Sequence, residues 1–182
     1  ADRLLEAAAR RGTIVATGHT ERFNPAVAAA LPLVTSPRFV EIHRLGAFPE
    51  RSLDIDVIFD LMIHDLDLLL TVAGSDVVAI DAVGVNVLTP RVDIANARIR
   101  FASGCIANVT ASRISRKRER KLRIFQKDAY LAADFQDKIL SVNRMGETKK
   151  GATWTIAANS VQGQVAVGGK LAIVGDQLVF VP

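Results

Sequence analysis

The sequence predicts an α+β domain: a mostly antiparallel open β-sheet with helices packed on one face, preceded by the closing helix and strand of an α/β unit. Three observations predict it. Residues 77–144 break into short apolar runs joined by turn residues, several close enough to pair as hairpins. Before them, residues 57–73 read as one apolar helix that stops at Gly74. The chain opens on an amphipathic helix followed by a continuous apolar run of the kind that suits a buried parallel strand.

The bulk numbers fit such a domain. The 182 residues suffice for one domain with a core, or for one domain and a fragment of another. With 49% hydrophobic and 23% charged residues, disorder is excluded. Aromatics are only 5%, so the core must be built from Val, Ile, Leu and Ala. The lone cysteine, Cys105, follows Gly104 in an expected hairpin and reads as structural rather than catalytic. No apolar run approaches the roughly 20 residues of a membrane span. The opening ADRLLEAAARRG reads as a helix rather than a signal peptide. These features point to a cytoplasmic location, and the start without methionine, within an expected helix, points to a fragment of a longer protein.

Taken in order, residues 2–11 place Leu4, Leu5 and Ala8 on one helical face, with Gly12 as the stop. TIVATGH, residues 13–19, is the expected strand. ERFNPAVAAAL, residues 21–31, holds an Asn-Pro helix start with Asn24 as N-cap and Pro25 at the first helical position. RFVEIHRLGAF, residues 38–48, alternates as a strand, and residues 49–56 form a polar loop. Strands are then expected in VVAIDAVGVNVL, VDIANARIRFA, CIANVTASRIS, RKLRIFQ, AYLAADF and ILSVNR, with a hairpin at Ala102-Ser103-Gly104. Beyond Met145 the chain is rich in Gly, Val and Ala and reads as three or four short strands.

The helix DVIFDLMIHDLD, residues 56–67, carries the chemistry. At helical spacing Asp60, His64 and Asp67 share one face, while large apolar residues cover most of the rest. A buried carboxylate is costly unless it is paired or at work. An Asp60–His64 pair at i,i+4 would fix the imidazole tautomer and raise its pKa, as a proton-transfer histidine requires. Spacing alone leaves a second reading open, in which the stripe is a solvated edge or His64 a satisfied core histidine. Three histidines and one cysteine give little basis for a metal site.

Between Arg113 and Arg123, seven of eleven residues are Lys or Arg. Without interleaved aromatics, and at a tight turn, this run does not read as a nucleic-acid surface. Arginines grip phosphate in bidentate fashion, so a diphosphate contact is the better reading.

The helix resembles the D-x-x-x-H-x-x-D helix of the glucose-fructose oxidoreductase / inositol dehydrogenase / MocA family. TGHTERFNP is similar to that family's passage from its Rossmann domain into its substrate domain, and SRISRKRERKLRIFQKDAYLAADF to part of its open sheet. The likeness covers roughly residues 1–145. It implies a remnant of the dinucleotide-binding domain over 1–20, a substrate-binding and oligomerisation domain over 21–145, and a divergent tail over 146–182. It also implies an NAD(P)-dependent oxidation of a sugar, polyol or nucleotide-sugar hydroxyl, with nucleotide sugars the closest match. His64 would be the general acid/base and Asp60 its companion in catalysis. Arg22, Asn24, Asp67, Arg113 and Arg116 would contact substrate, with Asp67 also placed to support His64 or the helix.

Two departures bear on the cofactor. The G-x-G-x-x-G turn that seats a pyrophosphate and the family's E-K-P motif are both absent from these residues. NAD or NADP is therefore expected in the full-length parent and not on this chain alone. The tail departs too, since family members continue with a helix at this point. The competing expectation is a non-catalytic binding or scaffold module of the same fold. Finally, the strands imply a second sheet face rich in Val, Ile and Ala, and hence a homo-oligomer formed through the sheet.

Overall fold

The computed structural model describes residues 2–49, 53–144, 163–164, 170–174 and 177–181. The chain opens on helix α1 (Asp2–Arg11), with Gly12 at φ 61° behind it. Residues 13–19, expected as a strand, form none. A parallel strand needs neighbours to take up its N–H and C=O groups, and no described strand lies beside this segment. Ile14 is 91% exposed and α1 buries no residue, so neither element packs onto the sheet.

A 3-10 turn (Thr20–Phe23) leads into helix α2 (Pro25–Ala30). The Asn24 side chain accepts from the Ala26 N–H at 3.1 Å, so the sequence-derived cap is present. Strand β1 (Pro37–Leu45) follows, then the apolar helix. That helix begins differently from the expected regular α-helix. Ile58–Met62 form a π turn, and only Ile63–Ala73 (α3) are α-helical, ending at Gly74 with φ 53°. The start is tied to a neighbouring loop: Asp56 Oδ1 accepts from the Val92 N–H at 2.9 Å, and the Val57 N–H donates to the Val92 carbonyl at 2.9 Å.

Six strands continue the chain: β2 (Val77–Val85), β3 (Ile94–Phe101), β4 (Ile106–Ser112), β5 (Glu119–Gln126), β6 (Ala129–Asp134) and β7 (Ile139–Arg144). The β3–β4 hairpin turns at Gly104 (φ 83°), as the Ala102-Ser103-Gly104 signal predicts. In the Gly/Val-rich tail the described strands are β8 (Gly163–Gln164), β9 (Lys170–Val174) and β10 (Gln177–Val181). The sheet order is β2-β3-β4-β1-β5-β6-β7-β8, with β9 and β10 as a separate pair. Every pairing is antiparallel except β1 with β4, which runs parallel in register Val40↔Ala107 and Ile42↔Val109. The first strand thus sits in the middle of the sheet.

Period-two alternation decides what each face carries. Val40, Ile42, Ala107, Val109, Leu122, Ile124, Leu131 and Val142 point to one side and meet Ala26, Val27, Leu68, Leu69 and Val72 of α2 and α3 in a single core. Cys105 is buried in that core, and burial pushes its thiol up. The opposite face corrects the expectation of a Val/Ile/Ala surface. It carries Glu41, His43, Lys121 and Arg123, with an Arg123–Glu41 bond of 2.7 Å and an Asn96–Thr110 bond of 2.8 Å. Its apolar part is a stack of Phe39, Phe125 and Tyr130, with centroids 5.6 and 4.8 Å apart. Within the sheet, the edge strand β2 carries exposed valines and isoleucines instead: Val77, Val78, Ile80, Val83 and Val85.

A cationic cavity beside the π turn

A cavity of about 570 Å³ opens where four elements meet: the Thr20–Phe23 turn, the end of β1, the π turn with α3, and the β4–β5 connection. Asp60 and His64 both line it, together with Glu21, Arg44, Arg113, Arg116, Arg118 and Arg120. The sequence-derived pair is therefore brought to one wall. It is not joined by the expected hydrogen bond: His64 Nδ1 is buried and has no hydrogen-bond partner. The π turn accounts for this. Asp60 lies inside it and His64 lies beyond it, so the regular i,i+4 geometry does not apply across the junction.

The apolar cover is less complete than the sequence predicts. Phe59 is 68% and Leu70 53% exposed, whereas Asp65, on the face with Leu68, Leu69 and Val72, is fully buried. Its partner comes from β1. Arg44 donates from Nε to both Asp65 oxygens at 3.0 and 2.9 Å, from Nη2 at 2.8 Å, and from Nη1 to Glu21 at 3.1 Å. Burial works against the Arg44 charge, but the bonds to Asp65 and Glu21 outweigh it and hold the guanidinium above its ordinary range. Arg44 lines the cavity while Asp65 lies fully buried behind it, and the pair was missed in the sequence. The signal was there: Arg44 occupies the inward phase of β1 after Val40 and Ile42, a position that demands a buried acid nearby.

The five residues expected to contact substrate divide. Arg116 is exposed and faces the cavity. Arg113 lines it too, but is 1% exposed, and its guanidinium donates to the Ile55 and Val92 carbonyls beside Asp93. Asn24 is occupied as a cap, and its amide also donates to Glu21 and to the Phe135 carbonyl. Arg22 and Asp67 are paired with each other, Nε–Oδ2 at 2.5 Å and Nη2–Oδ1 at 2.6 Å. That pairing holds the Asp67 carboxyl below its ordinary range against the opposing effect of burial, and His19 lowers it further. His19, absent from the sequence-derived set, places Nδ1 3.1 Å from Asp67 Oδ1.

Two more arginines of the wall belong to the run read as a diphosphate contact but were not singled out individually. Arg118 and Arg120, like Arg116, form no salt bridge with a described residue. Burial, then the charges of Arg44 and Arg118, pull Arg120 below its ordinary range. Like charges gathered in one cavity repel, and an anion placed among them relieves that repulsion. Among the described residues no group of His, Cys, Asp and Glu would hold a metal ion. No described helix is long and apolar enough to cross a membrane.

Residues 37–132 match the family model described as the GFO/IDH/MocA C-terminal domain. The UDP-N-acetylglucosamine 3-dehydrogenase of Acidithiobacillus ferrooxidans is 42% identical over 147 residues, which are 80% of this chain and 47% of that protein. A solved structure of the A. ferrooxidans enzyme superposes with a TM-score of 0.76 at 37% identity, over 91% of this chain and 53% of that one. An inositol dehydrogenase homolog from Azotobacter vinelandii, solved with NADH and myo-inositol, shares the fold: TM-score 0.69 and 15% identity, over 81% of this chain and 44% of that one. The chain spans about half the length of these relatives.

Proposed function

The chain belongs to the GFO/IDH/MocA family, and on that premise we propose that it is the substrate-binding part of an oxidoreductase that acts on a hydroxyl of a nucleotide sugar. The observation that carries this reading is the cavity itself, with Asp60 and His64 on one wall and, on another, three arginines that form no salt bridge among the described residues. His64 takes the proton of the reacting hydroxyl, and Asp60 binds or orients the sugar beside it. Arg116, Arg118 and Arg120 hold the anionic end, where bidentate guanidinium bonds suit a diphosphate. The similarity to a UDP-N-acetylglucosamine 3-dehydrogenase supports this substrate class.

NAD or NADP would serve the longer protein. The residues here do not fit it: no G-x-G-x-x-G turn occurs in the sequence, so no part of the proton chemistry above is routed through it. In this reading residues 1–20 adjoin the dinucleotide-binding domain, 21–145 form the substrate domain and 146–182 a divergent tail. The exposed Leu4, Leu5 and Ile14 suit a segment that packs on another domain. Association of copies through the sheet would rest on the Phe39–Phe125–Tyr130 stack rather than on an aliphatic face.

Calorimetric titration of this chain tests the proposal. UDP-N-acetylglucosamine should bind, while free N-acetylglucosamine and NAD should not. Equal binding of the free sugar and the nucleotide sugar would overturn the substrate class. Binding of neither would favour a module that has kept the fold without the site.

A further inference from the structure

We propose that His19 is a positioning residue that fixes the imidazole plane of His64, and that Asp67 and Arg22 exist in the site to anchor His19. The inference rests on the reading of His64 as the proton-transfer group. His64 Nδ1 is buried and makes no hydrogen bond, so no polar contact sets the ring rotation at that atom. Imidazole torsions are broad when only packing restrains them. A general base, however, must bring its nitrogen within about 3 Å of the proton it takes.

The ring that meets His64 is His19, with centroids 5.7 Å apart and planes at 80°. His19 is itself held. Its Nδ1 lies 3.1 Å from Asp67 Oδ1, and Arg22 takes both Asp67 oxygens. Arg22 thus holds the Asp67 carboxylate against His19 Nδ1, where it can accept a hydrogen from that nitrogen. The arrangement follows from two stretches of chain. His64 and Asp67 are three residues apart on α3 and share a face, and the segment before α2 lays His19 and Arg22 against it. Support of this kind, from groups that do not touch substrate, is what keeps a reacting side chain within a fraction of an ångström of its working position.

Histidine-ring NMR spectra of this chain test the proposal without any need for turnover. In His19→Ala the His64 ring resonances should shift and broaden. His19→Phe, which restores an aromatic edge, should recover much of the wild-type line shape. Asp67→Ala should disturb His64 although it does not touch that ring, and should add nothing to His64 in a His19→Ala background. If an alanine variant fails to fold, His19→Leu, which fills the space without an aromatic edge, and Asp67→Asn supply the same comparison. In the longer protein His19→Ala should lower kcat by about 10- to 100-fold with KM little changed, the scale of a small misplacement. His64 resonances identical in wild type and His19→Ala would overturn the proposal. A response at His64 combined with full turnover of His64→Ala would leave the positioning intact and remove the acid/base reading instead.

Discussion

Arg44 and Asp65 form a buried ion pair that locks strand β1 to helix α3 beneath the cavity, with three hydrogen bonds between them and a fourth from Arg44 to Glu21. Breaking such a pair leaves one charge stranded in the core. Asp65→Ala should therefore destabilise the chain by about 3–5 kcal/mol. The double change Arg44→Met with Asp65→Leu should recover much of that loss, because two apolar side chains need no partner. Urea unfolding of the single and double variants measures both effects, and a single variant as stable as wild type would contradict the pairing.

In the full-length oxidoreductase proposed above, His64→Ala should cut turnover by about 10² to 10⁴. Because the His64 ring makes no hydrogen bond at Nδ1, its loss should leave the melting temperature nearly unchanged. Turnover and thermal unfolding measured on the same preparation separate the roles: a destabilised but fully active variant would make His64 a packing residue.

Arg118→Ala and Arg120→Ala should each weaken nucleotide-sugar binding by about tenfold or more, since a hydrogen bond to a charged group contributes about 1.5–3 kcal/mol. The loss should be larger at low salt than at high salt, because both side chains are at least partly open to solvent. Arg113→Ala should behave differently and lower stability first, as its guanidinium braces the Ile55 and Val92 carbonyls. Calorimetry at two ionic strengths, paired with thermal melts, tells them apart.

Asp93 supplies the acid sensitivity. Burial opposes its charge, but the Thr89, Val87 and Leu88 N–H groups and the Thr89 hydroxyl hold the carboxyl well below the ordinary range. As pH falls, the unfolded chain takes up its proton near about pH 3.9, before the folded one does. The stabilisation is thus fully present above about pH 4 and is lost progressively below it. Asp93→Asn should be less stable at neutral pH and should show a flatter decline under acid. Acid titration followed by circular dichroism reads the slope, and an unchanged slope would show that Asp93 does not set it.

Where local chemistry decides the outcome, the sequence was legible. Asn24-Pro25 starts a helix and Gly74 stops one because capping and left-handed turns depend on the residue itself. The strands of residues 77–144 were legible because alternation is a local pattern. Helical spacing made Asp60 and His64 a candidate proton-transfer pair, and the family resemblance favoured that reading over a solvated edge. What stayed hidden depends on partners far along the chain. Nothing near Asp65 announces Arg44, and nothing near His19 announces Asp67. Residues 13–19 are apolar enough for a strand, yet apolarity cannot supply a neighbour to pair with. The polar open face escaped notice for another reason. Counting valines and isoleucines along the strands does not say which phase of the alternation they occupy, and β1 and β5 put theirs inward.

The central place of β1 has a consequence for how the chain is made. Synthesis delivers β1 before any of the strands that flank it, since its neighbours are β4 and β5. Val40 and Ile42 must wait for Ala107, Val109, Leu122 and Ile124 to leave the ribosome before either edge of the strand is paired. Until then a strand with two open edges is held only by what α2 and α3 can cover. Such distant pairings slow folding, because the loop between them must close before the contact forms. During translation, occupation of that central slot is the late step, and a nascent chain halted short of Ile106 carries β1 with both edges open to pairing.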